Sequence, residues 1–131
     1  SSHSGFVDFV RDRYTTLPDV DDRLFATSVR ARWRLADGIH GGVDFRALRA
    51  GVRQSLVESF ARHDSLAVQQ TLHAMGSAVL DRLATVAEIT LVLPNQHHLL
   101  ANLAPFGLDN PNRVFVGTDQ PFGQIEATLR R

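Results

Sequence analysis

The sequence predicts an α+β fold in which two antiparallel helices cover one face of an antiparallel sheet. Two stretches, residues 45–61 and 66–83, repeat their apolar side chains with the period of a helix, and the segments on either side alternate apolar and polar residues as strands do. Few residues separate the helical stretches, so we expect the helices to be antiparallel neighbours. The resulting order, strand, helix, helix, strand, strand, leaves this sheet one strand short at its beginning.

The composition limits the kinds of function that the chain can have. Its 131 residues are enough for one domain with a core, and 14 basic residues balance 14 acidic ones, which argues against nucleic acid as a partner. Every basic residue is arginine and cysteine is absent, so neither a lysine base nor a thiolate can come from this chain. The six histidines lack the spacing of a zinc site, and no apolar run is long enough to span a membrane.

The first part of the chain is expected to form one long strand between two loops. Residues 1–5 are small and polar, as in a loose surface segment, and residues 11–23 form a charged, ordered loop. Residues 24–35 are the clearest strand, because apolar side chains alternate there with three arginines on the opposite face. A glycine-rich connection, residues 36–44, follows, and its His40 is expected in solvent.

Two helices come next. Asp44 can cap a helix that runs to about Ala61, and either Asp64 or Ser65 can cap the second helix. The side chains expected to face the core lie three or four residues apart. They are Phe45, Leu48, Val52, Leu56 and Phe60 in the first helix and Leu72, Met75, Val79 and Leu83 in the second.

The strand that follows the helices, residues 86–94, stops at a proline and is followed by polar residues. Its side chains expected in the core are Ile89, Leu91 and Leu93. Pro94 has no N–H to donate to a ladder, so regular pairing should be disturbed there. Asn95 and His97 then face the same way in an extended chain, and an amide beside an imidazole can hold a small polar ligand and move protons near neutral pH. Solvated residues at the end of a strand are the simpler interpretation of the same pattern.

The last third of the chain contains short extended segments. Residues 97–103, 114–116 and 124–129 are expected to be extended, and residues 104–113 form a loop. The chain has no internal repeat and no segment of low complexity.

Several short motifs occur together along the chain. They are F-V-D-F-V-R-D-R-Y-T-T-L-P and D-D-R-L-F-A-T within residues 6–27, S-L-A-V-Q-Q-T in 65–71, L-P-N-Q-H-H in 93–98, and P-F-G-L-D-N-P-N-R-V-F with I-E-A-T within 105–128. In this order they make the chain resemble the C-terminal half of members of the urate oxidase (uricase) family. The resemblance extends over nearly the whole chain and is weak between about residues 35 and 58.

The resemblance implies the tunnelling fold (T-fold), in which two helices lie between the second and third strands of an antiparallel sheet. Each family subunit has two such units, and association of subunits into a homotetramer closes the sheets into barrels. Residues 1–131 would be the second unit without its first strand, in agreement with the strand missing from the predicted order. A separate polypeptide would then supply the N-terminal unit, with the family's catalytic lysine and threonine.

The resemblance also implies which residues bind the substrate. Phe6 corresponds to the aromatic ring that stacks on the purine, and Arg23 corresponds to the arginine that binds a urate carbonyl and a ring nitrogen. Val68 corresponds to a residue whose backbone N–H contacts urate, and Gln69 to the amide that binds the pyrimidine edge. The placement is physically reasonable, because the free N–H groups in the first turn of a helix favour an anion.

The same resemblance implies a catalytic pair. Asn95 and His97 correspond to the residues above the purine that hold dioxygen or water and relay protons. His98 faces the other way in an extended segment, so we expect it to have a structural role.

The implied activity is the oxidation of urate by dioxygen to 5-hydroxyisourate and hydrogen peroxide, without a metal or a cofactor. Another purine- or pterin-binding T-fold enzyme, such as a cyclohydrolase or an aldolase, is an alternative, but Gln69 in place of a ring-anchoring glutamate and the lack of cysteine count against it. A non-catalytic subunit that only completes a barrel is a further alternative. The lysine-free composition indicates a GC-rich bacterial genome, so we expect the cytoplasm, or the peroxisome if the source is eukaryotic.

Overall fold

The computed structural model of the chain describes residues 4–16, 18–20, 23–39, 41–118, 120 and 123–131. The loop prediction for His40 therefore lies outside the described residues. Within them, helices and antiparallel strands form the α+β arrangement that the sequence predicts. The elements in order are β1 (Arg30–Leu35), α1 (Phe45–Arg62), α2 (Val68–Arg82), β2 (Val86–Pro94), β3 (His97–Leu100), β4 (Phe115–Thr118) and β5 (Gln124–Arg130).

The first helix begins where the sequence predicts. The Asp44 side chain accepts hydrogen bonds from two backbone N–H groups of the first turn of α1. The predicted core position of Phe45 is wrong, because its side chain is 67% exposed. The two helices are antiparallel and Leu83, which ends α2, packs beside Gly51. Phe45 precedes Gly51 by more than one turn and so lies past the end of α2.

The second helix begins later than predicted. Its N-cap is Ala67, which makes no side-chain hydrogen bond, so the expectation that Asp64 or Ser65 caps it is wrong. The Ser65 hydroxyl is engaged elsewhere: it lies 2.7 Å from the buried hydroxyl of Thr71. Gln70 instead accepts the N–H four residues before it, at 3.0 Å. A buried hydroxyl pair has thus replaced the cap that the sequence pattern indicated.

The main sheet has the strand order β1-β2-β5 and is antiparallel throughout. The predicted strand over residues 24–35 is too long, because the ladder begins only at Arg30, which pairs with Val92. Within residues 24–29, which are all described, there is one bridge, between Ala26 and Gln96. The reason is that β2 ends two residues past Val92, at a proline that cannot donate to the ladder. From Arg30 onward the side chains alternate between exposed and half-buried, as predicted.

A second, two-stranded sheet holds β3 against β4. The extended segment predicted over residues 97–103 stops at Leu100 as a strand, because a short 3₁₀ turn, Ala104–Phe106, redirects the chain. This turn lies within the loop predicted for residues 104–113. The strand β4 begins and ends slightly later than predicted, whereas β5 agrees with the prediction to within one residue.

The core lies between the two helices and the main sheet, with most of its fully buried side chains on α2 and β2. Its fully buried side chains include the three predicted strand residues, Ile89, Leu91 and Leu93, together with Leu72, Met75 and Val79 from α2. Burial of each such side chain stabilises the fold by about 1.5–3 kcal/mol. Gly76 allows the close contact of helix and sheet, because a Cβ atom there would lie 2.9 Å from the Leu129 side chain. Within the described residues, no helix combines the length and the apolar character needed to cross a bilayer.

Candidate active site

One wall of the candidate site comes from the extended segment at Phe6. The backbone of Phe6 forms an antiparallel bridge with Val20. One face of its half-buried ring stacks on Phe9, with ring centroids 4.2 Å apart and planes inclined by 12°. The Phe6 ring is therefore oriented by contacts within its own segment, and aromatic rings stacked in this way present a flat apolar surface to a planar ligand.

Arg23 contributes the positive charge of the site. Its Nε donates to the Ser4 hydroxyl at 3.3 Å, and its guanidinium carbon lies 5.0 Å from the centroid of Phe25 and 6.0 Å from that of Phe6. Burial lowers the pKa of the guanidinium by desolvation. The Nη2 atom is buried and has no hydrogen-bond acceptor among the residues that the structure describes. A buried guanidinium N–H without an acceptor indicates that a ligand oxygen or nitrogen can bind there.

The opposite wall comes from the chain just after β2. Pro94 ends the strand, and the Asn95 N–H then donates to the carbonyl of Gly123 at 2.8 Å. Two residues later His97 begins β3, where it pairs with Thr118 of β4. Asn95 and His97 are both half-buried. The prediction that regular pairing is disturbed at Pro94 is confirmed, because the chain leaves one sheet there and joins another.

These two walls enclose a cavity of about 480 Å³, within the range of small-molecule sites. Phe6, Arg23, Asn95 and His97 all line it, so four of the six predicted site residues meet around one space. His98 also lines it, and its ring lies near Gly117 of β4, with Nδ1 3.3 Å from the carbonyl oxygen of Gln96. The structural role expected for His98 stays a prediction.

The other two predicted residues lie outside this cavity. Val68 and Gln69 occupy the first turn of α2, where the side chain of Val68 is buried in the core and that of Gln69 is exposed. The start of α2 is nevertheless joined to the Phe6 wall, because the Gly5 N–H donates to the carbonyl of Ser65 at 2.7 Å. The first backbone N–H groups of α2 have no acceptor within the helix, and the N-cap provides none from its side chain.

Ser4 is a residue of the site that the sequence did not indicate. The sequence predicts a loose surface segment over residues 1–5, but Ser4 is only 4% exposed and accepts the hydrogen bond of Arg23. It also bridges in parallel to Ser65, next to α2. No pattern in the sequence could have indicated this, since a serine in a small polar segment is typical of solvent-exposed chain.

The described side chains offer no metal centre. Among them, no three histidine, cysteine, aspartate or glutamate residues are grouped so that they could bind a metal ion. The arrangement that is present, an aromatic ring and a buried guanidinium facing an amide and an imidazole, suits a planar polar anion and proton transfer near it.

Comparison with known proteins gives one consistent result. The family model described as "Uricase" matches residues 1–126. The chain is 50% identical over 131 residues to the uricase of Arthrobacter globiformis, covering 100% of this chain and 42% of that protein. It is 40% identical over 136 residues to the uricase of Danio rerio, covering 100% of this chain and 45% of the relative. The chain therefore spans less than half the length of the curated relatives it matches.

Solved structures agree with this comparison. The crystal structure of uricase from Arthrobacter globiformis superposes with a TM-score of 0.90 at 50% identity, covering 98% of this chain and 44% of that one. A hyperthermostable mutant of Bacillus sp. TB-90 urate oxidase superposes with a TM-score of 0.75 at 20% identity, covering 99% of this chain and 43% of that one. The second likeness is informative about the fold alone.

Proposed function

Because the chain belongs to the uricase family, we propose that residues 1–131 are the C-terminal T-fold unit of a urate oxidase. The proposed enzyme converts urate, dioxygen and water to 5-hydroxyisourate and hydrogen peroxide. It needs neither a metal nor a cofactor, since urate itself supplies the two electrons that reduce dioxygen. The observation that carries the proposal is the convergence of Phe6, Arg23, Asn95 and His97 on one cavity.

The binding of urate is proposed to use the wall around Phe6. The purine stacks on the Phe6 ring, and the guanidinium of Arg23 binds a carbonyl oxygen and a ring nitrogen in the plane of the purine. The buried Nη2 of Arg23, which has no acceptor among the described residues, supports this role, because an acceptor on the ligand would satisfy it. In the assembled enzyme the Val68 N–H and the Gln69 amide are proposed to complete the site from the start of α2.

The chemical steps are proposed to occur beside Asn95 and His97. After a base has removed a proton from urate, the dianion passes electrons to dioxygen held near Asn95, and a hydroperoxide forms at C5 of the purine. Hydrogen peroxide then leaves and water adds at C5. His97 relays protons to the peroxide and from the water, because an imidazole can accept and donate protons near neutral pH.

The base in this scheme is proposed to come from outside residues 1–131. The chain contains no lysine, and the catalytic lysine and threonine are proposed to belong to an N-terminal unit on a second chain. Subunits would associate as a homotetramer, with urate and dioxygen as the small-molecule partners. The arginine-only composition supports a bacterial source, and we propose the cytoplasm as the compartment, or the peroxisome if the source is eukaryotic.

The packing of α1 supports the need for a second unit. The helix α2 lies directly on β2 and β5, whereas no described strand lies directly under α1. Among the described residues, β1 pairs only with β2, so none of them covers its other edge. Between β1 and α1 is a groove of about 530 Å³ lined mainly by apolar side chains, including Trp33, Val52 and Val57. A strand of the N-terminal unit that pairs with β1 would cover this groove and give α1 a sheet to pack on.

The proposal is tested by assembling the chain with the N-terminal half of a urate oxidase and following urate, dioxygen and hydrogen peroxide together. We expect one dioxygen consumed and one hydrogen peroxide formed for each urate lost. Urate binding without oxygen consumption would instead support a non-catalytic subunit that completes a barrel. If the assembly neither binds nor oxidises urate, a different purine or pterin substrate is favoured. Each of these two outcomes would overturn the proposed activity.

The proposed assembly has its own test. Mass and gel analysis of the natural protein should detect a second polypeptide of similar size that co-purifies with this chain. Recovery of this chain alone, in a form that oxidises urate, would contradict the two-chain arrangement and leave the proposed chemistry in place.

A further inference from the structure

The segment after β2 carries the proposed catalytic pair, and backbone hydrogen bonds hold it on two sides. The Asn95 N–H donates to the carbonyl of Gly123 at 2.8 Å, and the Gln96 N–H donates to the carbonyl of Ala26 at 3.1 Å. Both bonds join backbone to backbone, so they do not depend on the identity of a side chain. The carbonyl of Pro94 belongs to the same peptide group as the Asn95 N–H, on its other side, and needs a partner of its own.

Thr27 provides that partner. Its hydroxyl oxygen lies 2.7 Å from the carbonyl oxygen of Pro94 and 2.8 Å from that of Ser28, and both oxygens are acceptors of its one proton. Thr27 and Pro94 are 67 positions apart in the chain. The contact matters at a proline, because the residue has no N–H of its own to hold the backbone in a ladder. The hydroxyl therefore joins the segment before β1 to the point at which β2 ends.

We infer that Thr27 is a positioning residue for the reaction proposed above, and this inference rests on that proposed function. The hydroxyl holds the Pro94 carbonyl and thereby determines the direction in which Asn95 and His97 enter the cavity. Thr27 itself lines the groove between β1 and α1 and does not line the cavity with the proposed catalytic pair. Its side chain therefore acts through Pro94 and does not touch the reacting atoms.

The expected effect is on catalysis more than on substrate binding. The proposed urate contacts, Phe6 and Arg23, lie on the opposite wall of the cavity and have no hydrogen bond to the Pro94 segment among those described. A shift of about 1 Å at reacting groups can lower a rate by about 100-fold. Loss of the Thr27 hydroxyl should thus lower kcat while the affinity for urate changes little.

The test compares two substitutions at this position in the assembled enzyme. Thr27→Val removes the hydroxyl and keeps the branched shape, and we expect kcat to fall about tenfold or more. Thr27→Ser retains the hydroxyl and should recover most of the rate. The dissociation constant of urate, measured in the absence of oxygen, should change less than about threefold in both.

Thr128→Val is the matched control. The Thr128 hydroxyl lies 2.8 Å from that of Thr90 on the exposed face of the main sheet, so the control also removes one hydroxyl hydrogen bond between distant segments. It should leave kcat unchanged. If Thr27→Val does not assemble because a methyl group faces the Pro94 carbonyl, Thr27→Ala makes the same comparison without that methyl group.

Two results would overturn the inference while urate oxidation by the wild type still stands. One is the same kcat in Thr27→Val and Thr128→Val, and the other is a loss of urate affinity in Thr27→Val as large as the loss of kcat. A wild-type assembly that does not consume urate would overturn the proposed function itself, so the two failures are distinguishable.

Discussion

Arg23 is held on one side by hydrogen bonding and on another by aromatic rings. Its Nε donates to Ser4, and its guanidinium lies over the ring of Phe25. Burial lowers the pKa of this group by desolvation, but an arginine side chain keeps its charge at neutral pH because its ordinary pKa lies far above that range. Desolvation therefore leaves a cation with few competing waters, which strengthens its attraction for an anionic ligand.

Replacement of Arg23 should weaken urate binding. Arg23→Lys keeps the charge but loses the planar fork of donors, so we expect the dissociation constant of urate to rise about 10-fold to 100-fold, the equivalent of one or two charge-assisted hydrogen bonds. The measurement is urate binding by the assembled enzyme without oxygen. Arg32→Lys, on the exposed face of β1, is the control. Equal affinities for the two variants would argue against direct contact between Arg23 and urate.

His97 should matter for turnover more than for binding. His97→Ala removes the proposed proton relay, and general acid–base groups contribute about 100-fold to 10,000-fold to a rate. We expect kcat to fall by about 100-fold or more while urate affinity without oxygen changes little. His98→Ala, at the next position of β3, should retain most of the activity if its role is structural. A wild-type rate of urate loss in His97→Ala would refute the role assigned to His97.

The convergence of Phe6, Arg23, Asn95 and His97 could be predicted from the sequence only through the motifs they share with a family. Their spacing alone does not place them together, since the contacts between their segments join residues far apart in the chain. Ser4 and Thr27 were predicted only as parts of a surface segment and a strand, without a role at the site. The Ser4 hydroxyl contacts a residue 19 positions away, and the Thr27 hydroxyl contacts one 67 positions away. No local sequence pattern indicates such long-range contacts.

The helical pair contains a polar network that joins α1 to α2. The Gln54 amide donates to Glu58 at 2.7 Å, and Arg82 donates both to Glu58, at 3.1 Å, and to Gln54, at 3.0 Å. The hydrogen bond from Gln54, followed by the charge and the hydrogen bond of Arg82, holds the pKa of Glu58 below its ordinary value. The network therefore favours the ionised carboxylate in the folded protein.

This lowered pKa predicts how stability depends on pH. A carboxyl group whose pKa is lower in the folded state stabilises the protein fully above its unfolded-state pKa of about 4.3, and the stabilisation is lost as the pH falls through the lower folded-state value. Glu58→Gln should thus have a lower free energy of unfolding than the wild type at neutral pH, and the difference between the two should become small in acid. Urea unfolding at several pH values and one protein concentration measures this.

Glu126→Gln, on the exposed side of β5, is the control for that experiment and should show little change. The result that would contradict the role of Glu58 is a constant stability difference between Glu58→Gln and the wild type from neutral pH down to acid.

The elements were predictable where local chemistry determines them. The cap at Asp44 is local, because its partners lie in the next turn, and α1 begins there. The start of β1 was not predictable, since it depends on where its partner strand β2 ends, at Pro94. The prediction of where α2 begins was wrong for a related reason. The Ser65 hydroxyl has a buried partner in the Thr71 hydroxyl and does not cap the helix.

At the scale of the whole molecule, one edge of β1 and one side of α1 are left uncovered by the described residues, and both occur in one place. Trp33 of β1 and Val57 of α1 line the same groove, and Val57 is 58% exposed. Exposed apolar surface next to a free strand edge is typical of an interface. The sequence predicts a sheet that lacks its first strand, and the structure has an apolar groove beside β1. Both observations support the proposed partner unit.

A charge in this groove should prevent assembly without unfolding the chain. Val57→Glu places a carboxylate on a helix position that is already largely exposed in the isolated chain, so its circular dichroism and thermal unfolding should stay close to those of the wild type. In the proposed assembly the same carboxylate would be buried against an apolar strand, at a cost of several kcal/mol. Co-purification with the N-terminal unit and urate oxidation should both be lost.

Val10→Glu provides the matched control, because Val10 is 97% exposed and does not line the groove. This variant should assemble as the wild type does if the groove is the surface that the N-terminal unit covers, since Val10 lies on neither β1 nor α1. A stable, active assembly formed by Val57→Glu would show that the groove is not covered by the N-terminal unit. Loss of assembly only in Val57→Glu would support a strand of that unit beside β1 as the element that completes the sheet.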